Sequence, residues 1–475
     1  MTPGRTITVV VCLVLIGSGS ALAAADDQLE RLEREQEKLR QEIDRVRDQV
    51  EQKAKSTSEV ERRQGILARE IAALREALVL PGNKALQSAY GLGPAASKVY
   101  LSNPGLSIGG YGEFSFRGAV ADKDGSTDTF DFARFVLYAG YKYNDWLVLN
   151  TEVEFEHATT QSTASSGGGD VEVEFATLDF LPYKFLNFRG GLVLVPMGFI
   201  NELHEPPFYH GNRRPPVETQ ILPTTWRANG AGVFGEILPD LEYRTYAITS
   251  LNAKGFRADG IRGGRQSGNR EFAADWSWVA RLDYTPLPGT LIGGSLLLGD
   301  QGQDEVYGND VDGFFDADVF TQIYEAHTQL RRYGFELRAL VAAIALDDAG
   351  ILNTDPEIVG FDPATDPPAN NTLPGAAVGD FMLGYYTEIA YDVMPWLIAD
   401  TTQYLAPWFR YSHFDTQESL PRGLHADGAQ NHTVYEFGLS YKPITQVVVK
   451  LDTTFDDAAG DTVPDEIAIG AGFIF

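Results

Sequence analysis

The chain has 475 residues and a formal net charge of −28, and from residue 106 onward acidic side chains outnumber basic ones by more than two to one. So acidic a segment would repel the phosphates of DNA or RNA, and we expect no nucleic-acid partner. The single cysteine, Cys12, lies in the N-terminal apolar run. We therefore expect no disulfide framework, no zinc site and no cysteine nucleophile in the exported chain.

Residues 1–25 have the pattern of a secretory signal peptide. Arg5 gives a positive N-terminal region, residues 7–16 form an apolar core, and small residues allow cleavage after Ala23 or Ala25. The apolar core is shorter than the roughly 20 residues that a membrane-spanning helix needs. The chain is thus predicted to be exported.

Residues 26–80 carry a seven-residue repeat of apolar side chains, with mostly charged residues and Gln between them. This pattern predicts a periplasmic α-helical coiled coil, which would suit a multi-subunit protein. A helical hairpin that turns near Lys55 and a solvated charged spacer are the alternatives. Residues 81–105 are rich in Gly, Pro and Ser and are interpreted as a linker.

From residue 106 onward the apolar period changes to two, which is the period of β-strands. Tight turns and long loops alternate between the strands, which is typical of bacterial outer-membrane barrels. We predict an all-β domain over residues 106–475, a 16-stranded antiparallel transmembrane β-barrel with both chain ends in the periplasm. A soluble all-β domain is the less favoured alternative. The predicted strands are 106–120, 128–143, 145–157, 170–181, 184–197, 229–238, 240–252, 273–286, 289–300, 317–331, 332–347, 378–393, 396–415, 431–443, 445–457 and 464–475.

The last predicted strand ends on an aromatic residue and has one apolar face. Such an end resembles the signal that the outer-membrane insertion machinery recognises. We assign Phe473 and Phe475 to this signal. The predicted location is the bacterial outer membrane, with membrane lipid and lipopolysaccharide as neighbours.

Residues 198–230 follow the fifth predicted strand and have neither a helical nor a strand period. Two Pro-Pro pairs stiffen this segment, and charges of both signs lie close together in it. We expect it to fold into the lumen, where charged side chains at a narrow point filter solutes. An ordinary surface loop is the alternative. The predicted constriction residues are Glu202, His204, Arg213, Arg214, Glu218, Trp226 and Arg227.

Alternation along the strands also predicts which charges line the lumen wall. Opposed acidic and basic walls would set up a transverse field, whereas scattered ion pairs on a solvated wall are an equal alternative. None of the seven histidines has a recognisable catalytic spacing, so no enzyme is expected. The predicted wall residues are Glu152, Glu154, Glu156, Glu172 and Glu174 on the acidic side, and Arg134, Arg189, Arg281, Arg338 and Lys450 on the basic side.

Two predicted outer loops have a strong charge bias. One carries Arg257, Arg262, Arg265 and Arg270 and is suited to contact anionic lipopolysaccharide. The other is acidic and could bind Ca²⁺, although it contains no complete EF-hand pattern, and no other cofactor is expected. Its acidic residues are Asp300, Asp304, Glu305, Asp310, Asp312 and Asp316.

Three segments resemble porins of the phosphate-selective O/P family. They are residues 106–114, LSIGGYGEF, residues 189–199, RGGLVLVPMGF, and residues 221–227, ILPTTWR. The resemblance implies a trimeric passive channel for small hydrophilic solutes or ions such as phosphate, with an N-terminal coiled coil like that of many such porins.

The net charge departs from this family pattern, because the phosphate-selective members line their path with Arg and Lys. A general or differently selective porin is therefore an equal expectation. A tether between the outer membrane and the cell wall, with the helical stalk as the main functional part, is the alternative from another class.

Overall fold

A computed structural model describes residues 87–120, 128–162, 167–309, 313–359, 376–458 and 465–475, together with scattered helical positions between residues 37 and 63. The predicted signal peptide, most of the predicted coiled coil and residues 81–86 of the predicted linker lie outside the described residues. The chain divides into two compact units, Met1–Val79 and Leu80–Phe475. Among the described residues, no helix is long and apolar enough to cross a membrane.

Sixteen strands of the second unit form a closed antiparallel barrel, which confirms the predicted barrel fold. Two further strands, β10 and β11, form a separate hairpin. The strands are β1 (Gly105–Ala119), β2 (Thr129–Asn144), β3 (Leu147–Glu156), β4 (Val171–Phe180), β5 (Asn187–Leu194), β6 (Arg227–Leu238), β7 (Leu241–Thr249), β8 (Trp276–Tyr284), β9 (Thr290–Gly299), β10 (Val306–Asn309), β11 (Gly313–Asp316), β12 (Thr321–Arg332), β13 (Phe335–Leu346), β14 (Phe381–Tyr391), β15 (Tyr404–Ser419), β16 (Asn431–Ile444), β17 (Val447–Ala458) and β18 (Glu466–Ile474).

The ends of the barrel sheet join through the first and last strands. Tyr111 lies opposite Ile474 in the β1–β18 ladder. Beyond β18, the backbone N–H of Phe475 donates to the Gly110 carbonyl at 2.9 Å, and the Gly110 N–H donates to the Phe475 carbonyl at 3.1 Å. The last residue of the chain therefore completes the closure, while its role as an insertion signal stays a prediction.

The strands place apolar side chains outside and polar side chains inside, as β17 illustrates. Val449 and Leu451 are 39% and 44% exposed, whereas Lys450 and Asp452 between them are only 3% and 5% exposed. This follows from the period of two, since successive side chains of a strand point to opposite faces.

Four elements differ from the sequence prediction. A helix, α1 (Pro94–Leu101), lies within the predicted linker, and its proline occupies a first-turn position where no backbone N–H is needed. The β10–β11 hairpin lies within a predicted loop. β15 begins at Tyr404 instead of residue 396, because Asp392 Oδ1 accepts the Met394 and Leu405 N–H groups and closes a helical turn between them.

The fourth difference is a β-bulge in β4. Glu152 pairs with Phe175 and Val153 pairs with Val173, so Glu174 is an extra residue in its strand. The bulge turns Glu174 and Phe175 inward together, and both are buried. Strict alternation along residues 171–180 would instead predict Phe175 on the outer face with Val173, so the bulge makes that prediction wrong for Phe175.

Helix α1 packs inside the barrel against β2, β3 and β4. Asn150 Nδ2 donates to the Ala96 carbonyl at 2.9 Å, and the Tyr100 hydroxyl donates to Asp179 Oδ2 at 2.7 Å. Val99 lies directly over Gly140, where an added Cβ would come within 2.7 Å of the Val99 Cβ. The wall therefore has a glycine where the helix approaches most closely.

We expect Gly140→Ala to destabilise the barrel by about 1–3 kcal/mol, because the added methyl group overpacks the contact with Val99. Urea unfolding of the refolded protein would measure this. Gly190→Ala is the matched control, since a Cβ there meets its nearest atom at an ordinary 3.6 Å. Equal stability of the two variants would show that Val99 does not press on Gly140.

Candidate functional site

The connection between β5 and β6, residues 195–226, crosses the inside of the barrel and is called the crossing loop below. The hydroxyl of Tyr209 donates to Glu113 Oε2 on β1 at 2.7 Å. From the other side, Arg338 on β13 donates to the Phe208 carbonyl at 2.9 Å, and Arg410 on β15 donates to the His210 carbonyl at 2.8 Å. A segment bonded to strands so far apart in the barrel must span its lumen. β6 begins at Arg227, two residues before the predicted strand 229–238, so residues 227–230 of the predicted loop belong to the strand.

Asn201 joins the two ends of the crossing loop. Its Nδ2 donates to the Val195 carbonyl at 2.7 Å and to the Trp226 carbonyl at 2.8 Å, while its Oδ1 accepts the Trp226 N–H at 2.6 Å. Trp226, a predicted constriction residue, is itself buried and lies at this junction. The sequence analysis did not identify Asn201, because a single buried amide leaves no periodic signal.

Glu218 anchors the middle of the crossing loop. It lies in a short helix, α2 (Pro216–Gln220), and is fully buried. Its Oε2 accepts the Ile200 N–H and its Oε1 accepts the Tyr386 hydroxyl, both at 2.7 Å. Burial raises the pKa of Glu218 above its usual value, although these two bonds act against the shift. Glu218 was predicted to be a constriction charge, but its carboxylate is buried and links the crossing loop to Tyr386 of β14.

His204 approaches two carboxylates of the acidic wall. Its Nε2 lies 3.1 Å from Glu152 Oε1 and 3.4 Å from Glu174 Oε2, and all three side chains are at most 1% exposed. Its Nδ1 lies 3.2 Å from the Asn201 carbonyl. Burial lowers the pKa of His204, but Glu152 and Glu174 outweigh burial and raise it to about 10. The crossing loop is thus held to β3 and β4 through one imidazole.

The other predicted constriction residues are spread along the loop. Glu202 is buried 3.5 Å from Arg244, and Arg227 is buried in an ion pair with Glu172. Arg213 is half exposed and pairs with Glu466 at 2.7 Å. Two nitrogens of the Arg214 guanidinium, Nε and Nη2, are buried without a hydrogen-bond acceptor among the described residues. The predicted set therefore divides into paired anchors and one arginine without a carboxylate partner.

Basic side chains of the wall lie mostly in ion pairs. Arg189 pairs with Asp179 at 2.8 Å, and Arg410 bridges Glu388 at 2.6 Å and Glu436 at 2.7 Å. Arg134 pairs with Glu113 and Glu154, and Arg281 pairs with Asp283. Lys450 instead donates to the Gly211 carbonyl, and Glu156 is half-buried at the end of β3. The transverse field across the lumen stays a prediction. Arg244 and Arg410 were not predicted.

Two cavities lie on opposite sides of the crossing loop. The larger has a volume of about 620 Å³, lies toward the long-loop ends of the strands and is bordered by Tyr209. The smaller, about 250 Å³, lies toward the tight turns and is bordered by Phe208. These two neighbouring aromatic residues therefore lie between the cavities.

Three arginines at the larger cavity have no carboxylate partner among the described residues. Arg117 and Arg214 form no ion pair with a described residue, and Arg262 donates to the carbonyls of Thr219 and Thr224. The acidic cluster around Glu152 does not border this cavity. Six carboxylates also border this cavity, those of Glu113, Asp131, Asp259, Glu436, Asp456 and Glu466. The charge at the cavity is therefore closer to balance than the total charge of the barrel.

The acidic outer loop includes the β10–β11 hairpin. Two of its six acidic positions, 310 and 312, lie outside the described residues. Calcium binding there stays a prediction.

No protein-family model matches the chain. A protein of Aquifex aeolicus (strain VF5) that carries the description "Uncharacterized protein" is 33% identical over 390 residues, which are 81% of this chain and 83% of that protein. The chain belongs to the same family as this Aquifex protein.

Several solved structures are similar to the chain in fold. They include OmpF of Salmonella typhi in complex with daunomycin, with a TM-score of 0.48 and 14% identity. The loop L8 deletion mutant of OmpT from Vibrio cholerae has a TM-score of 0.47 and 13% identity. The anion-selective porin from Comamonas acidovorans has a TM-score of 0.46 and 11% identity. Each match covers 78% of this chain, and 97%, 99% and 99% of the other chains respectively.

We expect Glu218→Ala to loosen the crossing loop, because it leaves the Ile200 N–H and the Tyr386 hydroxyl buried without an acceptor. Each unsatisfied donor costs about 1–3 kcal/mol. Limited proteolysis within residues 198–226 should accelerate in this variant. Glu218→Gln keeps an acceptor oxygen and should show a smaller effect. Equal cleavage rates in the wild type and both variants would contradict the anchoring role.

Proposed function

We propose that the chain is an outer-membrane porin, a passive diffusion channel for small hydrophilic solutes or ions. The observation that carries the proposal is a closed barrel with an apolar outer face and a charged interior that a loop crosses. In hydrocarbon every backbone polar group needs an internal partner, which a closed barrel supplies. Exposed apolar residues such as Ile469, at 52% exposure, suit contact with lipid. The N-terminal segment would then lie in the periplasm.

The crossing loop is proposed to form the constriction of this channel. Phe208 and Tyr209 lie between the two cavities. Arg338 of the wall bonds the Phe208 carbonyl, and Glu113 of the wall accepts the Tyr209 hydroxyl. Such fixed side chains would set the width that a solute must pass.

The channel is further proposed to prefer anions, such as phosphate. Glu152, Glu154 and Glu174 are buried and do not border the larger cavity, so their charge acts on passing ions only from a distance. Several carboxylates that border the cavity lie in ion pairs, such as Glu113 with Arg134 and Glu466 with Arg213. The arginines without carboxylate partners would then attract anions, because the charges that line a pore set its selectivity.

A homotrimer is the proposed assembly. The outer wall of β7, β8, β9, β12 and β13 has a concave apolar depression of about 630 Å³, in which small residues such as Ala280, Gly294 and Ala326 lie among large ones. The wall of a neighbouring barrel could fill it. Contacts with lipopolysaccharide, and with the insertion machinery through Phe473 and Phe475, belong to the same proposal. Within the Arg-rich loop, Arg262 and Arg265 instead donate to the Thr224 carbonyl of the crossing loop.

Phe208→Ala should widen the passage and raise the single-channel conductance by roughly one half or more, since conductance follows the narrowest width. Recordings in planar lipid bilayers would test this, and a trimer would insert as one conductance step that closes in three equal steps. Tyr333→Ala, at a turn residue that is 84% exposed, is the control and should leave the conductance unchanged. A folded wild-type protein without any conductance would contradict the channel proposal itself.

Replacing both Arg214 and Arg262 with Gln should reduce the anion preference. A unit charge about 4 Å away in water contributes about 1 kcal/mol, so each loss lowers the permeability to anions by up to roughly fivefold and raises the permeability to cations. The reversal potential in a KCl gradient measures this ratio. Arg332→Gln, at a turn where the guanidinium stacks on Tyr333, is the charge-matched control. A cation-selective wild type would contradict the anion proposal and leave the channel proposal intact.

A further inference from the structure

Three metal-ligating side chains converge where the crossing loop meets the barrel wall. His204 of the loop, Glu152 of β3 and Glu174 of β4 each present one ligand atom, and these atoms lie within 4.8 Å of one another. All three side chains are buried. No other group of three or more such residues occurs within the part of the chain that the structure describes.

The hydrogen bonding of His204 leaves one ring nitrogen for the carboxylates. A carbonyl oxygen only accepts, so Nδ1 must carry the proton that is shared with the Asn201 carbonyl. On metal binding, the loss of the Nε2 proton would free the Nε2 lone pair beside Glu152 and Glu174. Histidines that bind metals are held in the same way, with the other ring nitrogen donating to a carbonyl or a carboxylate.

The separations of the ligand atoms fit a metal ion. Bonds to nitrogen and carboxylate oxygen are about 2.0–2.2 Å long, which places neighbouring ligand atoms roughly 3.0–3.5 Å apart in octahedral or tetrahedral geometry. The Nε2 atom lies 3.1 Å from Glu152 Oε1 and 3.4 Å from Glu174 Oε2. A small divalent ion could therefore reach all three atoms without a large rearrangement.

The carboxylates of this cluster lack ordinary hydrogen-bond partners. Both oxygens of Glu174 and the Oε2 of Glu152 are buried and accept no hydrogen bond within the described residues. The hydroxyl of Tyr111 is also buried without a partner, its ring lies 5.8 Å from that of His204, and the charges of the cluster act on it. Buried polar atoms are rarely left unpaired, and a bound ion is one common explanation.

The local backbone also brings these groups together. Glu174 is the extra residue of the bulge in β4, and the bulge turns its side chain inward beside Glu152. Bulges of this kind often redirect a side chain at a functional site. Without the bulge, the alternation of β4 would not place Glu174 and Phe175 on the same side.

We propose that His204, Glu152 and Glu174 bind one divalent transition-metal ion of the Zn²⁺ class, which fastens the crossing loop to the barrel wall. One imidazole and two carboxylates match the nitrogen and oxygen ligands that Zn²⁺ takes in proteins. Ca²⁺ prefers six to eight oxygen ligands and is less suited to this set. The expectation of no zinc site rested on the missing cysteines, which this ligand set does not need.

The test measures zinc retained by the full chain. Wild-type protein is refolded into detergent with either Zn²⁺ or EDTA, passed through gel filtration and analysed for metal by mass spectrometry. We expect one Zn²⁺ per chain after refolding with zinc, and a higher thermal unfolding temperature than after refolding with EDTA, because a metal that binds only the folded state stabilises it. No conductance is measured, so the result is independent of the proposed channel.

His204→Gln and Glu174→Gln should each lose the bound zinc and the thermal shift, and Glu174→Gln preserves the test if the histidine variant fails to fold. His327→Gln is the matched control. His327 is also buried between two carboxylates, but it contacts Glu325 through Nδ1 and Asp283 through Nε2, so its partners do not converge. The control should keep its zinc. Wild type that retains no more zinc than His204→Gln would overturn the proposal and indicate an imidazolium paired directly with the two glutamates.

Discussion

Closure of the barrel through β1 and β18 is the constraint on which the rest of the structure depends. The final two-way backbone contact, between Gly110 and Phe475, satisfies groups that would otherwise be unpaired at an edge. In an apolar medium each such group would cost several kcal/mol. Once the sheet is closed, the strand period sends every second side chain into a confined interior. The charges there must then find partners within the barrel.

The crossing loop supplies many of these partners through its backbone. Carbonyls of Phe208, His210 and Gly211 accept hydrogen bonds from Arg338, Arg410 and Lys450, which project from three different strands. The wall in turn satisfies a segment that has little regular secondary structure of its own. The hydrogen-bonding groups of the wall and of the crossing loop depend on each other, because a buried cation and a buried carbonyl both need a partner. The position of the crossing loop therefore depends on the charge pattern of the wall, and the burial of the wall cations depends on the loop.

Local pattern explains why the strands could be predicted from the sequence. The alternation of apolar and polar residues is visible within residues 147–156 alone. It therefore predicts that Glu152 and Glu154 point inward without any information from the rest of the chain. Helix α1 and the bulge at Glu174 could not be predicted in this way. The helix depends on the space above Gly140, and the bulge depends on the register with β3. Both are tertiary effects that leave no periodic signal.

The candidate site shows the same division between local and long-range information. Proline pairs and mixed charge distinguished residues 198–230 as unusual, but they did not reveal that Glu218 and Asn201 act as anchors. Nor does any spacing connect positions 152, 174 and 204, because three separate elements carry them. Net charge misleads for a related reason, because it counts the buried glutamates and the arginines that border the cavity equally. An ion in the larger cavity would meet Arg214 and Arg262 there, while Glu152 and Glu174 lie buried where the crossing loop meets the wall. Selectivity in such a barrel is therefore a property of which charges the fold leaves accessible.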